Sequence, residues 1–185
     1  MNNNLIIIEN GQLDIYMLDD RLLWEMGRPT KGNNPDIKLY SSTVSRRHGA
    51  FQNMDGIWFY LDYNGKNGTV YNNKQIKAGL NGRIRPIMLK NGDVFIFGAR
   101  QEAAKSCKPV WAVFSTNSYS ARWRVEDTKE MMQLKLKDGD SVTQIDQPEK
   151  GTMVETDHGI AIYMGDVTYL VGDTKLICNN TKEEK

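Results

Sequence analysis

The chain interrupts its own hydrophobic runs at short, regular intervals. Apolar residues alternate with polar ones or gather in short runs, and a turn signal of Gly, Asn, Asp or Pro follows roughly every eight to twelve residues. Strand side chains point to opposite faces with a period of two, whereas a helix needs apolar residues recurring at three and four. No stretch in the first two thirds of the chain carries the helical period. Short alternating strands must bury one face against a second sheet, so the predicted class is all-β, a sandwich or barrel.

Eleven short strands can be read up to residue 116: LIII (5–8), GQLDIYML (11–18), RLLWEMG (21–27), IKLY (37–40), HGAFQNM (48–54), IWFYLDY (57–63), GTVYNN (68–73), KQI (74–76), RIRPIMLK (83–90), VFIFG (94–98) and VWAVFST (110–116). Asp55-Gly56 is a two-residue hairpin signal. RPTKGNNPD (28–36), with two prolines, reads as a surface loop, and NGKNG (64–68) as a second, tight one. Trp24, Trp58 and Trp111 fall within strand patterns and are expected in or beside the core. Residues 99–109 form a polar connection. Beyond Asn117, ARWRVED, MMQLKLKDGD, SVTQI, GTMVETDHG, IAIYMGDV and TYLVGDTKLIC continue as strands joined by Gly-Asp turns. The expected division is 1–118 as one domain, 119–178 as a β-rich extension or small subdomain, and 179–185 as a disordered polar tail.

Charge narrows the function. The 185 residues hold 24 basic and 23 acidic side chains, a net of +1, without the basic face a nucleic-acid binder carries. Cys107 and Cys178 stand far apart with no Cys/His spacing, so neither a metal site nor a cofactor is expected, and a reduced cytoplasmic setting is. No apolar run reaches the ~18 residues of a membrane span. LIII lacks a basic lead and reads as a buried strand rather than a secretory signal.

Locally the balance tips. Between Arg21 and His48 six cations (Arg21, Arg28, Lys31, Lys38, Arg46, Arg47) face two carboxylates (Glu25, Asp36). Three loops that leave one end of a sandwich can converge there: Gly27-Arg28, Ser45-Arg46-Arg47-His48 and Asn67-Gly68-Thr69. A guanidinium, a hydroxyl and a carboxamide suit a phosphate monoester on a peptide. Arg28 can fork onto phosphate oxygens, Ser45 can donate its hydroxyl, and Asn67 can both donate to and accept from an extended backbone.

On WEMGR (24–28), VSRRHGAF (44–51), WFYLDYNGKNGTVYNN (58–73) and LKNGDVFIFG (89–98), the sequence resembles the forkhead-associated, or FHA, domain. The likeness covers roughly residues 3–117. It implies an FHA-type eleven-stranded β-sandwich with the β-rich C-terminal segment appended. It further implies a phosphothreonine peptide as ligand, with Arg28, Ser45 and Arg46 on the phosphate and Asn67 on the peptide main chain. His48 and Gly27 would be architectural, as would Gly68 and Thr69. Lys66 departs from the family pattern of Thr or Ser, and either adds a charge to the phosphate or points at solvent. Arg47 is expected to face away. Thr43, Tyr63, Asn64 and Lys66 stand as rim residues that could read positions flanking the phosphothreonine.

The resulting expectation is a non-enzymatic, phosphothreonine-dependent adaptor in Ser/Thr kinase signalling, binding a phosphorylated protein and neither nucleic acid nor membrane. Ser45 and His48 lack an acid partner and a G-x-S-x-G elbow, and no phosphate-cradling nucleotide loop occurs. The alternative is a structural or self-assembly module that kept the fold without the phosphate preference. For it the C-terminal segment could pair with a second copy through an open strand edge.

Overall fold

The computed structural model describes residues 2–99, 109–116, 123–127, 133–138, 141–156, 159–165 and 167–172. Cys107, Cys178 and the 179–185 tail lie outside the described residues. The chain divides into two compact units, Met1–Asn117 and Ser118–Lys185.

Among the described residues the first unit is a two-layer β-sandwich of eleven strands. These are β1 (Asn4–Glu9), β2 (Gln12–Met17), β3 (Leu23–Gly27), β4 (Ile37–Lys38), β5 (Gly49–Met54), β6 (Ile57–Asp62), β7 (Thr69–Tyr71), β8 (Lys74–Gln75), β9 (Ile87–Met88), β10 (Asp93–Phe97) and β11 (Val110–Ser115). One sheet runs β2-β1-β11-β10-β7-β8 and the other β4-β3-β5-β6-β9. Only β3 and β4 pair in parallel in this second sheet.

Alternation decides what the sheets enclose. In β6, Trp58, Tyr60 and Asp62 turn inward while Ile57, Phe59 and Leu61 are exposed or half-buried. In β10, Asp93, Phe95 and Phe97 are the buried set. Leu5, Ile7, Trp24, Met26, Phe51, Trp58, Tyr60, Phe95, Phe97, Ala112 and Phe114 form one core drawn from both sheets. Its centre is aromatic. Tyr60 and Phe95 lie 4.9 Å apart between ring centroids, and Phe51 meets Phe95 edge-on at 5.8 Å, within the range where such pairs add to plain area burial.

Turn chemistry sets the register. Asp55 and Gly56 adopt φ of 53° and 84° between β5 and β6, the left-handed pair that a two-residue hairpin requires. The predicted strand over 83–90 shortens to Ile87–Met88. Pro86 has no N–H to give a ladder and ends the pairing there.

The second unit holds a four-stranded sheet, β12 (Trp123–Asp127), β17 (Val167–Gly172), β16 (Gly159–Tyr163) and β15 (Thr152–Thr156), in that order. A separate hairpin joins β13 (Gln133–Asp138) and β14 (Ser141–Asp146). Val154, Ala161, Tyr163 and Leu170 form a small core with Ile145 packed against it. No helix among the described residues is long and apolar enough to cross a membrane.

Candidate functional site

Register brings three strand ends together. Met26 pairs with Gly49, and Gly49 pairs with Asp62. The end of β3, the start of β5 and the end of β6 therefore lie side by side, and the segments after Gly27, before Gly49 and after Asp62 leave the sandwich at one edge. Cross-loop hydrogen bonds then knit them. Arg28 N–H donates to Ser45 O (3.0 Å), His48 N–H to Met26 O (2.9 Å), and Tyr63 N–H to His48 O (3.1 Å).

The site residues are fixed from below. Arg28 is half-buried, and its Nε donates to Val44 O at 3.2 Å. That bond pins the stem and leaves the terminal guanidinium nitrogens with no acceptor among the described residues. Ser45 Oγ accepts from Lys66 N–H at 3.2 Å, so the hydroxyl keeps its own proton to donate. Asn67 Nδ2 donates to Thr43 O at 2.9 Å, which leaves its Oδ1 as an acceptor. Arg46 and Lys66 are exposed, and neither makes an ion pair with any described residue. Guanidinium, hydroxyl and carboxamide thus all engage the Thr43–Ser45 segment or its immediate partner.

His48 is fully buried and organises the floor. Ser45 N–H donates to its Nδ1 at 3.2 Å. An amide can only donate, so Nδ1 is unprotonated and the ring hydrogen sits on Nε2, 3.0 Å from Thr69 Oγ1. Thr69 Oγ1 lies 3.3 Å from Tyr60 Oη, which donates to Asp62 Oδ2 at 3.1 Å. Asp62 Oδ1 accepts the Asn64 N–H at 2.8 Å. A continuous polar chain therefore runs from the serine loop through the core to the asparagine loop. Burial pushes the His48 pKa below its ordinary value, against the opposing pull of the Asp62 charge and a Gly68 backbone bond. Burial, followed by Asp62, drives Tyr60 well above the usual tyrosine range. Burial thus favours the neutral form of both rings.

Close backbone approaches complete the frame. A Cβ on Gly27 would stand 2.7 Å from the Arg46 carbonyl carbon and 2.9 Å from Ser45 O. No side chain fits where the two loops cross. Gly68, at φ +64°, closes the tight loop through its N–H to Gly65 O at 2.9 Å.

Three features escape a reading of the sequence. Asn33 Nδ2 bonds both Arg28 O (3.2 Å) and Arg46 O (2.7 Å), bracing the arginine and serine loops from the 28–36 loop. Gly65 passes so close that a Cβ would meet Ser45 Oγ at 2.8 Å and His48 Nδ1 at 2.9 Å. The placement of Thr43 at the rim is corrected: it is 4% exposed, with its hydroxyl 2.9 Å from Ser41 Oγ. Gly98 lies directly over it. Tyr63, Asn64 and Lys66 remain accessible, and Arg47 lies outside the cluster with its guanidinium 5.3 Å from the Tyr63 ring centroid.

Residues 24–98 match the family model of the FHA domain. Among solved structures the chain is similar to the FHA domain of FhaA in complex with the intracellular domain of Rv3910. The identity there is 22%, the TM-score 0.44, and the match covers 60% of this chain and 98% of that one. It is similar to the yeast splicing factor Pml1 of the RES complex at 25% identity and a TM-score of 0.49, covering 62% of this chain and 78% of that one. A third likeness is to a structure from a study of phosphothreonine-dependent FHA domain interactions, at 18% identity and a TM-score of 0.45, covering 64% of this chain and 99% of that one. No curated protein matches the chain.

Proposed function

We propose that the first unit is a phosphothreonine-dependent peptide-binding module, a non-catalytic adaptor for proteins phosphorylated by a Ser/Thr kinase in the cytoplasm. The observation that supports this most is the convergence of Arg28, Ser45 and Asn67 on one backbone segment, each tied by one bond and each with donor or acceptor capacity left over. In this reading Arg28 forks onto the phosphate, Ser45 donates its hydroxyl, and Arg46 and Lys66 add charge at the mouth. Asn67 Oδ1 receives the N–H of the peptide beside the phosphothreonine. Gly27, His48, Gly68 and Thr69 hold these groups in place. Residues 1–118 act as the binding domain and 119–178 as its β-rich extension.

A phosphothreonine brings a charge of about −1.5 to −2 at neutral pH. Each charge-assisted hydrogen bond nets about 1.5–3 kcal/mol, and three to five of them, less an association cost of at least ~4 kcal/mol, leave at most about 0.5–11 kcal/mol, a range that includes micromolar affinity. Calorimetry with a degenerate peptide pool fixed on phosphothreonine, against the same pool carrying threonine, tests this. The phosphorylated pool should bind and the other should not, and Arg28→Ala should abolish binding with little change in melting temperature. Equal binding of the two pools would refute the reading.

A further inference from the structure

Beyond the phosphate cluster, the charge of the first unit is unevenly spread. From Tyr63 to Gly92 the sequence holds six cations (Lys66, Lys74, Lys77, Arg83, Arg85 and Lys90) and no carboxylate. In a chain of net +1 this is a strongly cationic segment. Four of the six line one concavity of about 190 Å³: Lys74, Lys77, Arg83 and Arg85, with Asn64 and Asp62 also in its lining.

The concavity is built by hydrogen-bonded backbone. Gly82 N–H donates to Gly79 O at 3.1 Å and Arg83 N–H to Leu80 O at 3.2 Å, closing a turn over Leu80–Gly82. Gly79 passes so close to the Arg83 carbonyl that a Cβ there would overlap it. The turn returns Arg83 and Arg85 towards Lys74 and Lys77. None of the four cations makes an ion pair with any described residue. Asp62, the acidic member, is 7% exposed and already accepts from Tyr60 Oη and Asn64 N–H. Its charge is therefore engaged below the surface, while Lys74, Lys77, Arg83 and Arg85 are all exposed.

The concavity adjoins the phosphate cluster. Asn64 forms its wall and opens the loop that carries Lys66 and Asn67. Gln75, another lining residue, donates to Thr69 O at 2.9 Å. We propose that this basic pocket is a second anion site that takes a further negative group of the same bound peptide, either a second phosphate or a run of carboxylates. The proposal rests on the phosphothreonine reading of the neighbouring cluster. An extended peptide advances about 3.3 Å per residue, so a segment anchored by its phosphothreonine can lay a second anion into an adjoining pocket. Four clustered cations in a recess suit a compact, multiply charged group better than a flat membrane surface, and they would also speed encounter with acidic partners.

The test uses the full chain and peptide pools fixed on phosphothreonine, with a phosphoserine walked through successive flanking positions and a parallel series carrying glutamates. At one or more spacings affinity should rise about tenfold over the singly phosphorylated pool, the yield of two or three partly exposed ion pairs, and the gain should shrink with added salt. Lys77→Ala with Arg83→Ala should remove the gain and leave singly phosphorylated binding and melting temperature unchanged. A gain with glutamates equal to that with phosphoserine identifies carboxylates as the source, and a gain with phosphoserine alone identifies phosphate. The proposal is overturned if no spacing gains, if the gain survives the double variant, or if the variant's only loss is binding to phosphatidylserine vesicles. Failure of the singly phosphorylated pool to bind wild type would instead remove the underlying reading, and this inference with it.

Discussion

His48→Ala tests the frame beneath the site. The ring is wholly buried, accepts the Ser45 N–H at 3.2 Å and faces Thr69 Oγ1 at 3.0 Å. Removing it leaves the Ser45 amide without its acceptor, a cost of about 1–3 kcal/mol. The lost ring volume against Phe97, 5.6 Å away between centroids, adds about 2 kcal/mol. Thr69 keeps Tyr60 as a partner and adds little. The sum, about 3–5 kcal/mol, is a large share of the ~5–15 kcal/mol of a typical domain. Urea unfolding followed by the fluorescence of buried Trp24 and Trp58 reads it, as a midpoint lowered by about 2 M for an m-value near 2 kcal/mol/M. The pH dependence carries a second signature. The folded pKa is depressed below the ordinary 6.5. An unfolded chain therefore takes up a proton first as the pH falls below 6.5, so the stability contributed by neutral His48 is present above that value and declines beneath it. The variant should lose that part of the slope. A loss below about 1 kcal/mol, with the slope unchanged, would refute the bracing role.

Two further outcomes follow from the same geometry. Gly27→Ala forces a Cβ onto the Arg46 and Ser45 backbone; main-chain atoms cannot rotate aside, so it should cost about 2 kcal/mol in urea unfolding and weaken phosphopeptide binding in calorimetry. Tyr71 is pushed up to about 12 by burial and by its bond to Asp93. Its neutral form is favoured by the fold, so this contribution to stability is present below pH 10 and lost as pH rises towards 12. Tyr71→Phe should remove one late phase, near pH 12, from an alkaline ultraviolet titration.

The sandwich was legible because its signals are local. Alternation in β6 and β10 assigns inner and outer faces by a period of two, and Asp55-Gly56 declares its own hairpin. The site loops were legible through motif spacing, since Gly27-Arg28, Ser45-x-x-His48 and Asn67-Gly68-Thr69 each sit at a strand junction. What escaped depends on tertiary approach. Thr43 is a polar residue in a polar loop, and only the packing of Gly98 over it shows that it is buried. Asn33 lies in a loop whose direction no local pattern sets, and its two bonds reach carbonyls across that fold. Gly65 reads as an ordinary turn residue until Ser45 and His48 are placed against it. The basic concavity joins β8 to a turn that precedes β9, and that closure follows from the approach of Gly79 to Arg83.

The central claim is that Arg28 and Ser45 hold the phosphate while Asn67 holds the peptide main chain beside it. An isotope-labelled sample titrated with the phosphothreonine peptide pool addresses it residue by residue in amide and guanidinium magnetic resonance spectra. Signals of Arg28, Ser45, Arg46, Lys66 and Asn67 should move together and saturate, while the threonine pool leaves them in place. Movement confined to other surfaces, or equal movement with both pools, would contradict the account.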